Sequence, residues 1–285
     1  MYKAIFLDID GTLRDNNKNI SERTILAIKN VIEKGILVIL CSGRARKYTE
    51  DISRRCSASR YIITSNGANI YNYEDERVIY KNVINKQAII ELYKTAEQAN
   101  VRLVMDVEGN RIVNRLKYLD GSESQLDMDI ETFVEENDVQ LCTISDTNFN
   151  KMEDLKSKID GVKSIEIKQQ LKSFGDGEKS KEESMYYFIA NKESCKGNAI
   201  VRLCEMLSID LKDTVAIGDD YNDISMFKVV GYSVAMGNAN DEVKEYADEL
   251  TLTNEHDGVA VFLENLLKHL EENELKSKVK DEKER

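Results

Sequence analysis

The stretch FLDIDGTL, residues 6–13, places two aspartates, Asp8 and Asp10, directly after an apolar run. In an extended strand, residues i and i+2 point to the same face, so we expect the two carboxylates to lie side by side. Such a pair is unfavourable unless a cation neutralises it. An ordinary Asp-Gly turn explains the same letters, so this motif alone leaves a metal site and a turn both open.

A second group of acids follows the apolar stretch TVAIG, residues 214–218. The next residues, DDYND, hold Asp219, Asp220, Asn222 and Asp223 within five positions. Three carboxylates at one strand end repel one another, and a helix N-cap needs only one of them. This second group therefore indicates a bound cation more strongly than the first.

Two further polar positions have the types and places of phosphate-binding residues. Ser42 and Gly43 follow the apolar run ILVIL, where a hydroxyl and exposed amides at a helix start can hold a phosphate. Lys196 opens the predicted helix 197–208, a position where the helix dipole disfavours a cation unless an anion is bound nearby. Taken singly, these residues are more simply explained as an ordinary N-cap and a solvated surface lysine.

The elements that must position these residues alternate between apolar strands and amphipathic helices. That rhythm predicts an α/β fold with a Rossmann-like parallel sheet covered on both faces. Open α/β sheets bind ligands at the carboxyl ends of their strands, and all four polar groups fall at such ends. Oxygen ligands without histidine or cysteine favour Mg²⁺.

The middle of the chain has a different pattern, which predicts an inserted α+β domain with an antiparallel sheet. We expect a core domain formed by 1–81 and 191–270, an insert at 82–190, a loop at 173–184 and a charged, frayed tail at 271–285. The predicted elements of the insert are helices 86–99 and 149–159 and strands near 101–107, 111–115, 138–144, 162–168 and 185–190. In the returning α/β part, helices are predicted at 222–229, 240–247 and 257–270.

Composition excludes several classes of function. A formal charge of −12 argues against general affinity for nucleic acid or for an anionic membrane surface. The longest apolar run, residues 36–41, is far too short to span a membrane. Two histidines near the C-terminus make a histidine-based zinc site and a Ser-His-Asp triad poor interpretations. Five cysteines without a CxxC pair are typical of reduced thiols in a cytoplasmic protein.

The ordered set of motifs DxDGT, SGR, KG and GDxxND resembles the haloacid dehalogenase (HAD) superfamily of phosphatases. The stretches TSNGANIY and VAMGNANDEVKEYADELTLTNEHDGVAVFLE look like its Cof-type branch. The resemblance implies a HAD core with an inserted cap domain that sets substrate specificity. Only 34 positions separate Asp8 from Ser42, whereas 154 separate Ser42 from Lys196, which places the cap in the second interval and makes it C2-type.

The resemblance also implies a role for each site residue. Asp8 would be the nucleophile that forms an aspartyl phosphate, and Asp10 the general acid and base. Mg²⁺ would be held by Asp8, Asp219 and the backbone carbonyl of Asp10, with Asp223 orienting the site from behind. The residues expected to hold the phosphate oxygens are the amides of Ile9 and Gly43 together with Ser42, Lys196 and Asn222.

The function predicted from the sequence is Mg²⁺-dependent hydrolysis of a small phosphorylated metabolite, either a sugar phosphate or a phosphorylated cofactor. Two alternatives stay open at this point. A phosphomutase would use the same aspartate chemistry but would return the phosphate to the substrate. A non-catalytic sensor would bind a phosphorylated ligand without turning it over, although Asp8, Asp10, Lys196 and Asp219 are all present.

Overall fold

The structure is a computed structural model that describes residues 2–115, 123–174 and 183–283. The chain divides into two compact units. The first comprises Met1–Cys41, Asp51–Tyr61 and Ile200–Arg285, and the second comprises Ser42–Glu50 and Ile62–Ala199. Each unit is built on its own pattern of strands and helices.

Strands and helices alternate at both ends of the chain, as predicted for an α/β fold. In chain order the described elements are β1 (Ala4–Leu7), α1 (Glu22–Glu33), β2 (Leu37–Cys41), α2 (Arg46–Arg55), β3 (Tyr61–Thr64), β4 (Asn69–Asn72), β5 (Arg77–Lys81), α3 (Lys86–Ala99), β6 (Arg102–Val107), β7 (Asn110–Val113), β8 (Ser124–Gln125), α4 (Ile130–Glu136), β9 (Leu141–Asp146), α5 (Phe149–Asp160), β10 (Ile165–Phe174), β11 (Glu183–Asn191), α6 (Lys196–Leu207), β12 (Thr214–Gly218), α7 (Ile224–Phe227), β13 (Tyr232–Ala235), α8 (Asp241–Lys244), β14 (Glu249–Leu250) and α9 (Gly258–Lys283).

The first unit contains a parallel sheet in the order β14-β13-β12-β1-β2. Strands β1 and β12 are buried along their whole length, as expected for parallel strands with helices on both faces. Helix α1 buries the stripe Thr24, Ala27, Ile28 and Val31, and the Ser21 side chain accepts a hydrogen bond from the Thr24 amide at its start. The predicted parallel sheet is confirmed.

The second unit contains a mainly antiparallel sheet in the order β10-β11-β9-β6-β7-β8, in which only the short pair β7–β8 is parallel within the described chain. Residues of α3, α4 and α5 share one hydrophobic core with this sheet. All members of that core lie between Ile84 and Ile189. The expectation of an α+β segment with its own antiparallel sheet in the middle of the chain is therefore confirmed.

The two compact units do not coincide with the predicted segments 1–81, 82–190 and 191–270. Residues 62–81 group with the middle of the chain because several contacts join them to it. Lys81 lies 2.8 Å from a carboxylate oxygen of Glu108 and 2.9 Å from one of Asp138. The assignment of 82–190 as a cap domain stays a prediction, which the separate hydrophobic core supports.

Several elements differ from the sequence-based expectation. Helix α4 was not predicted because it is only seven residues long, although Asp129 caps its first turn at the Thr132 amide. Strand β10 runs on to Phe174, and residues 175–182 of the predicted 173–184 loop lie outside the described residues. Helix α9 continues to Lys283, beyond its predicted end at 270, because this stretch is rich in Glu, Lys and Leu and lacks Gly and Pro. The charged, frayed tail at 271–285 stays a prediction.

Within the described ranges, no helix combines the length and the apolar character needed to cross a membrane. All five cysteines have free thiols, as predicted. Burial raises the pKa of Cys56 and Cys204 to about 11 and that of Cys142 to about 12. These three thiols are therefore held in their unreactive protonated form.

Candidate active site

The candidate site lies in the first unit, at the carboxyl ends of β1, β12 and β13. These strands are parallel neighbours, so the residues that follow them share one edge of the sheet. Asp8 comes directly after β1, and its amide donates to the carbonyl of Ile217 in β12 at 3.0 Å. This backbone bond holds the start of the Asp8 loop beside the end of β12.

Three carboxylates meet at this edge. Asp8, Asp219 and Asp223 each present one oxygen, and these oxygens all lie within 4.8 Å of one another. Asp8 is 6% exposed and Asp223 is fully buried, so water screens their mutual repulsion poorly. Such a cluster is stable when a cation neutralises it, and its donors are the hard oxygens that divalent metal ions accept.

Asp223 connects the cluster to the backbone of the loop after β12. Its Oδ2 accepts hydrogen bonds from the amides of Asp219 at 2.9 Å and Asp220 at 3.0 Å. The Asp220 side chain in turn accepts from the Tyr221 amide at 2.8 Å and caps the short helical turn that follows. Asp223 therefore fixes the backbone that carries Asp219 while its carboxylate belongs to the cluster.

Two glycines allow the loops to approach this closely. Gly11 has φ +89°, and a Cβ at this position would lie 2.2 Å from Oδ2 of Asp219. A Cβ on Gly218 would lie 2.5 Å from Cγ of Asp223. Next to Gly11, the Thr12 hydroxyl donates to Oδ1 of Asp219 at 2.7 Å, so the β1 loop also orients this carboxylate.

Asp10 lies in a different environment from Asp8. Strand β1 ends at Leu7, so the i and i+2 rule for extended strands does not apply to these two aspartates. The Asp10 carboxylate is not a member of the three-acid group, and its Oδ1 lies 3.5 Å from a guanidinium nitrogen of Arg14. Its side chain is 35% exposed, so solvent or a ligand can reach it.

The residue set fits a divalent metal ion. Asp8 and Asp219 supply carboxylate oxygens, Asp223 adds a third, and Gly11 and Gly218 keep side-chain bulk away from them. The neighbouring hydrogen bonds from Thr12 and from the 219 and 220 amides orient these carboxylates, as is usual around metal ligands. The cluster can thus hold a metal ion.

Two predicted phosphate-binding residues of the first unit flank the acids. Ile9 is fully buried between Asp8 and Asp10, and its carbonyl accepts from the Arg14 amide at 3.0 Å, which closes the turn that displays this peptide. Asn222 is half-buried beside Asp223, and its carbonyl accepts from the Ser225 hydroxyl at 2.9 Å. Their action on a phosphate stays a prediction.

The other predicted phosphate-binding residues, Ser42, Gly43 and Lys196, belong to the second unit. Ser42 is buried and its oxygen accepts from the Arg44 amide at 3.0 Å, which leaves the hydroxyl proton for another acceptor. Lys196 is fully buried at the first residue of α6. Lys196 is therefore not a solvated surface lysine, and its binding of an anion stays a prediction.

Sequence reasoning missed Asn238, which follows β13. Its side-chain nitrogen donates to the Gly11 carbonyl at 2.9 Å and lies 3.4 Å from Oδ2 of Asp219. Thr12 belongs to the DxDGT motif, which alone predicts no separate role for its side chain. The signal for Asn238 was its place: it is a polar residue shortly after the carboxyl end of a strand in the same parallel sheet.

Comparison with known proteins finds one family over most of the chain. The sequence model for haloacid dehalogenase-like hydrolases matches residues 5–263. Among the relatives, phosphatase YwpJ of Bacillus subtilis is 28% identical over 93% of this chain and 100% of its own length. The 5-amino-6-(5-phospho-D-ribitylamino)uracil phosphatase YwtE of the same organism is also 28% identical, over 93% of this chain and 98% of its own.

Solved structures show the same fold. A haloacid dehalogenase-like hydrolase from Bacteroides thetaiotaomicron superimposes with a TM-score of 0.77. It is 27% identical in sequence, and the match covers 93% of this chain and all of that one. The sequence and structural comparisons therefore agree over nearly the whole chain.

Proposed function

The chain belongs to the haloacid dehalogenase-like hydrolases, and from this membership we propose that it is a Mg²⁺-dependent phosphatase that acts on a small phosphorylated metabolite. The observation that carries the proposal is the buried cluster of Asp8, Asp219 and Asp223 at the carboxyl ends of β1 and β12. A nucleophilic carboxylate and a metal site are what hydrolysis of a phosphate ester through an aspartyl phosphate requires.

The residues proposed to hold Mg²⁺ are Asp8, Asp219 and the backbone carbonyl of Asp10. Asp223, whose Oδ2 already accepts from two amides, would orient them. When bound, the ion would offset the repulsion between the Asp8 carboxylate and an anionic substrate. A site whose ligands are all oxygen atoms favours Mg²⁺ over metal ions that prefer histidine or cysteine ligands.

Asp8 is the proposed nucleophile because it is the first aspartate of the DxDGT motif, and a carboxylate needs no separate activating base to attack. Its carboxylate oxygen attacks phosphorus while the bond from phosphorus to the leaving alcohol breaks. Asp10 donates a proton to that leaving oxygen, and then takes a proton from the water that attacks the aspartyl phosphate. Inorganic phosphate leaves and Asp8 is regenerated, so the same side chain serves as acid and then as base.

The separate environments of the two aspartates support this division of roles. Asp8 is buried within the acid cluster, whereas Asp10 is partly exposed beside Arg14. A nucleophile benefits from fixed geometry and exclusion of water, and an acid-base group must reach the leaving oxygen and the attacking water. Two carboxylates in different surroundings commonly divide the work in this way.

The phosphate oxygens would be held by the amides of Ile9 and Gly43, the Ser42 hydroxyl, Lys196 and Asn222. These groups are donors, which is what the charge on the three equatorial oxygens of the transferring phosphoryl group needs. Buried Lys196 would contribute a full positive charge. These donors would give an acidic chain affinity for an anionic substrate.

The substrate is proposed to be a sugar phosphate or a phosphorylated cofactor. The relative YwtE bears the name of a phosphatase for a phosphorylated ribitylamino compound, which supports a small polar phosphate ester as the class of substrate. Residues 82–190 are proposed to form the cap that selects among such esters. Their separate hydrophobic core supports this role.

The experiment is phosphate release from a panel of phosphorylated metabolites, measured before and after removal of metal with EDTA. We expect EDTA to abolish release and Mg²⁺ to restore it. Asp219→Asn should lose most of the activity because it removes a proposed ligand. Asp220→Asn is the matched control, since it lies outside the acid cluster and an asparagine can still cap the turn at Tyr221.

Full activity after rigorous metal removal would contradict the proposal. Transfer of the phosphate back to the substrate, without release to water, would instead identify a phosphomutase. Tight binding of a phosphorylated metabolite without turnover would identify a sensor.

A further inference from the structure

Asn238 connects the three strand ends that form the candidate site. It follows β13, and its Nδ2 donates to the Gly11 carbonyl in the β1 loop at 2.9 Å. The same nitrogen lies 3.4 Å from Oδ2 of Asp219, in the loop after β12. A primary amide has two N–H donors in a fixed fork, so one side chain reaches both loops.

The orientation of this amide is fixed from behind. Its Oδ1 accepts a hydrogen bond from the backbone amide of Asn254 at 2.9 Å. With the oxygen turned towards Asn254, both N–H groups face Gly11 and Asp219. The donor arrangement thus follows from the hydrogen-bond network.

Asn254 also holds the far side of the β1 loop. Its Nδ2 donates to the Arg14 carbonyl at 3.0 Å and to Oδ1 of Asn16 at 3.3 Å. The next residue, Glu255, accepts from the Asn16 amide at 2.6 Å. Segment 10–16 is therefore held at both of its ends by side chains that follow β13 and β14.

Both oxygens of Asp219 consequently face a donor from this network. Oδ1 accepts from the Thr12 hydroxyl at 2.7 Å, and Oδ2 faces Asn238. The shorter of the two Asn238 hydrogen bonds is the one to the Gly11 carbonyl. Asn238 therefore also fixes the peptide that joins Gly11 to Thr12. Outer partners of this kind set the orientation of a carboxylate that binds metal.

We propose that Asn238, fixed by Asn254, is a positioning residue that holds Asp219 and the Gly11–Thr12 peptide at the spacing the acid cluster needs. The inference rests on the proposed function, since it assigns Asn238 to that same site. Asn238 is exposed, so its hydrogen bonds compete with water and add little to the free energy of unfolding. Its contribution is to geometry, and a variant should therefore fold.

The test compares Asn238→Ala with Asn240→Ala. Asn240 is the matched control because it is the same residue type, two positions along the same loop, and exposed, and its side chain makes no capping hydrogen bond. Two quantities are measured: the affinity of the metal-free protein for Mg²⁺ alone by calorimetry, and kcat and KM with p-nitrophenyl phosphate. Mg²⁺ affinity is a readout that does not depend on turnover.

For Asn238→Ala we expect Mg²⁺ affinity and kcat each to fall by about tenfold or more, with little change in KM. Asn240→Ala should keep both quantities near those of the parent. Because Thr12 and Asn238 act on the same carboxylate, the losses in Thr12→Val and Asn238→Ala should not multiply in the double variant. A residue that only stabilised the fold would lower the melting temperature and leave Mg²⁺ affinity unchanged.

Asn238→Ala with Mg²⁺ affinity and kcat like those of the parent would overturn the inference, as would an equal loss in Asn240→Ala. A parent that binds Mg²⁺ but hydrolyses no phosphate ester would contradict the proposed function. In that case the role of Asn238 is tested only by the Mg²⁺ affinities of the parent, Asn238→Ala and Asn240→Ala. A parent that binds no Mg²⁺ would overturn both.

Discussion

At the scale of single residues, the site depends on bringing like charges together. Two carboxylate oxygens about 5 Å apart repel by roughly 3 kcal/mol at an effective dielectric constant of about 20. Asp8, Asp219 and Asp223 form three such pairs, and the net stability of a typical protein is only about 5–15 kcal/mol. A bound cation should therefore raise the thermal stability of the chain, and the geometry that allows the close approach should be sensitive to single atoms.

Gly11→Ala tests this sensitivity. A Cβ 2.2 Å from Oδ2 of Asp219 forces that carboxylate or the loop to move, so we expect turnover to fall by about tenfold or more. The rise in melting temperature on adding Mg²⁺ should also be lost. The measurements are phosphate release and thermal unfolding with and without Mg²⁺.

Gly35→Ala is the control for backbone strain. Gly35 has φ +81°, close to that of Gly11, but a Cβ there meets nothing within 4 Å. It should cost stability, on the order of 1 kcal/mol, while the response to Mg²⁺ and the turnover persist. If Gly11→Ala behaved like Gly35→Ala, the contact between the β1 loop and Asp219 would have no functional importance.

Part of this site was predictable from single residues. Acidic residues directly after apolar strands identified Asp8, Asp219 and Asp223, because parallel strands place their carboxyl ends at one edge. The separate location of Asp10 was not predictable, since the alternation rule assumes that the strand continues and β1 ends at Leu7. Asn238 was missed because its contact with Gly11 depends on how the loop after β13 turns back.

At the scale of elements, the hairpin β6–β7 contains a buried acid that is not a member of the three-acid cluster. Asp106 is 5% exposed, its Oδ1 accepts from the Gly109 amide at 3.1 Å, and Arg111 lies opposite it in the register. Burial raises the pKa of Asp106 to about 6 from its ordinary value of 3.8, although the amide and Arg111 act in the opposite direction. The folded chain therefore holds this proton more tightly than the unfolded chain.

The pH dependence follows from that difference. Below pH 3.8 the carboxyl is protonated in both states and carries no penalty. As the pH rises from 3.8 to about 6, the unfolded chain loses the proton first, so the folded state is progressively destabilised. Above about pH 6 the penalty is complete and constant.

Asp106→Asn should remove this penalty. An amide oxygen can still accept from Gly109, so we expect the variant to gain stability relative to the parent, on the order of 2 kcal/mol, above pH 6 and little below pH 4. Urea unfolding across this range measures it, with Glu91→Gln, exposed in α3 of the same unit, as the control. A constant difference between Asp106→Asn and the parent at all pH values would contradict the assignment.

The sequence predicted most of the long elements and fewer of the short ones. Helix α3 and the strands of the parallel sheet have strong periodic patterns or unbroken apolar runs. Helix α4 and strand β8 are short, so their patterns carry little information, and the pairing of β8 with β7 is decided by tertiary contacts. The predicted end of α9 at 270 is wrong because the polar residues that follow have high helix propensity and continue the helix to Lys283.

At the scale of the whole molecule, the central question is what residues 82–190 do. They enclose their own hydrophobic core, and the two ends of the segment meet: the Asn191 side chain donates to the Val83 carbonyl at 2.8 Å. A short Gly/Ser linker can therefore replace 82–190 without stretching the remaining chain. As a proposed cap, this segment would contact the part of the leaving group beyond the oxygen that Asp10 protonates.

Deleting 82–190 should have unequal effects on different substrates. We expect hydrolysis of p-nitrophenyl phosphate to survive at a reduced level, because the proposed phosphate and metal contacts lie outside the segment. Discrimination among natural phosphorylated metabolites should largely be lost, because the deletion removes the proposed contacts between the cap and the leaving group. Activity across the substrate panel measures this. A folded deletion variant that kept the parent's ranking of substrates would show that the segment only stabilises the chain.

The most direct test of the account is whether phosphate becomes attached to Asp8 during turnover. Parent, Asp10→Asn and Asp8→Asn are mixed with Mg²⁺ and a substrate from the panel, quenched in acid during the first turnover, and digested for mass spectrometry. We predict a transient phosphoryl group on Asp8 in the parent, slower formation and decay in Asp10→Asn, and neither phosphoryl group nor product in Asp8→Asn. Turnover without a phosphoryl group on Asp8, or more than trace activity in Asp8→Asn, would contradict the proposed mechanism.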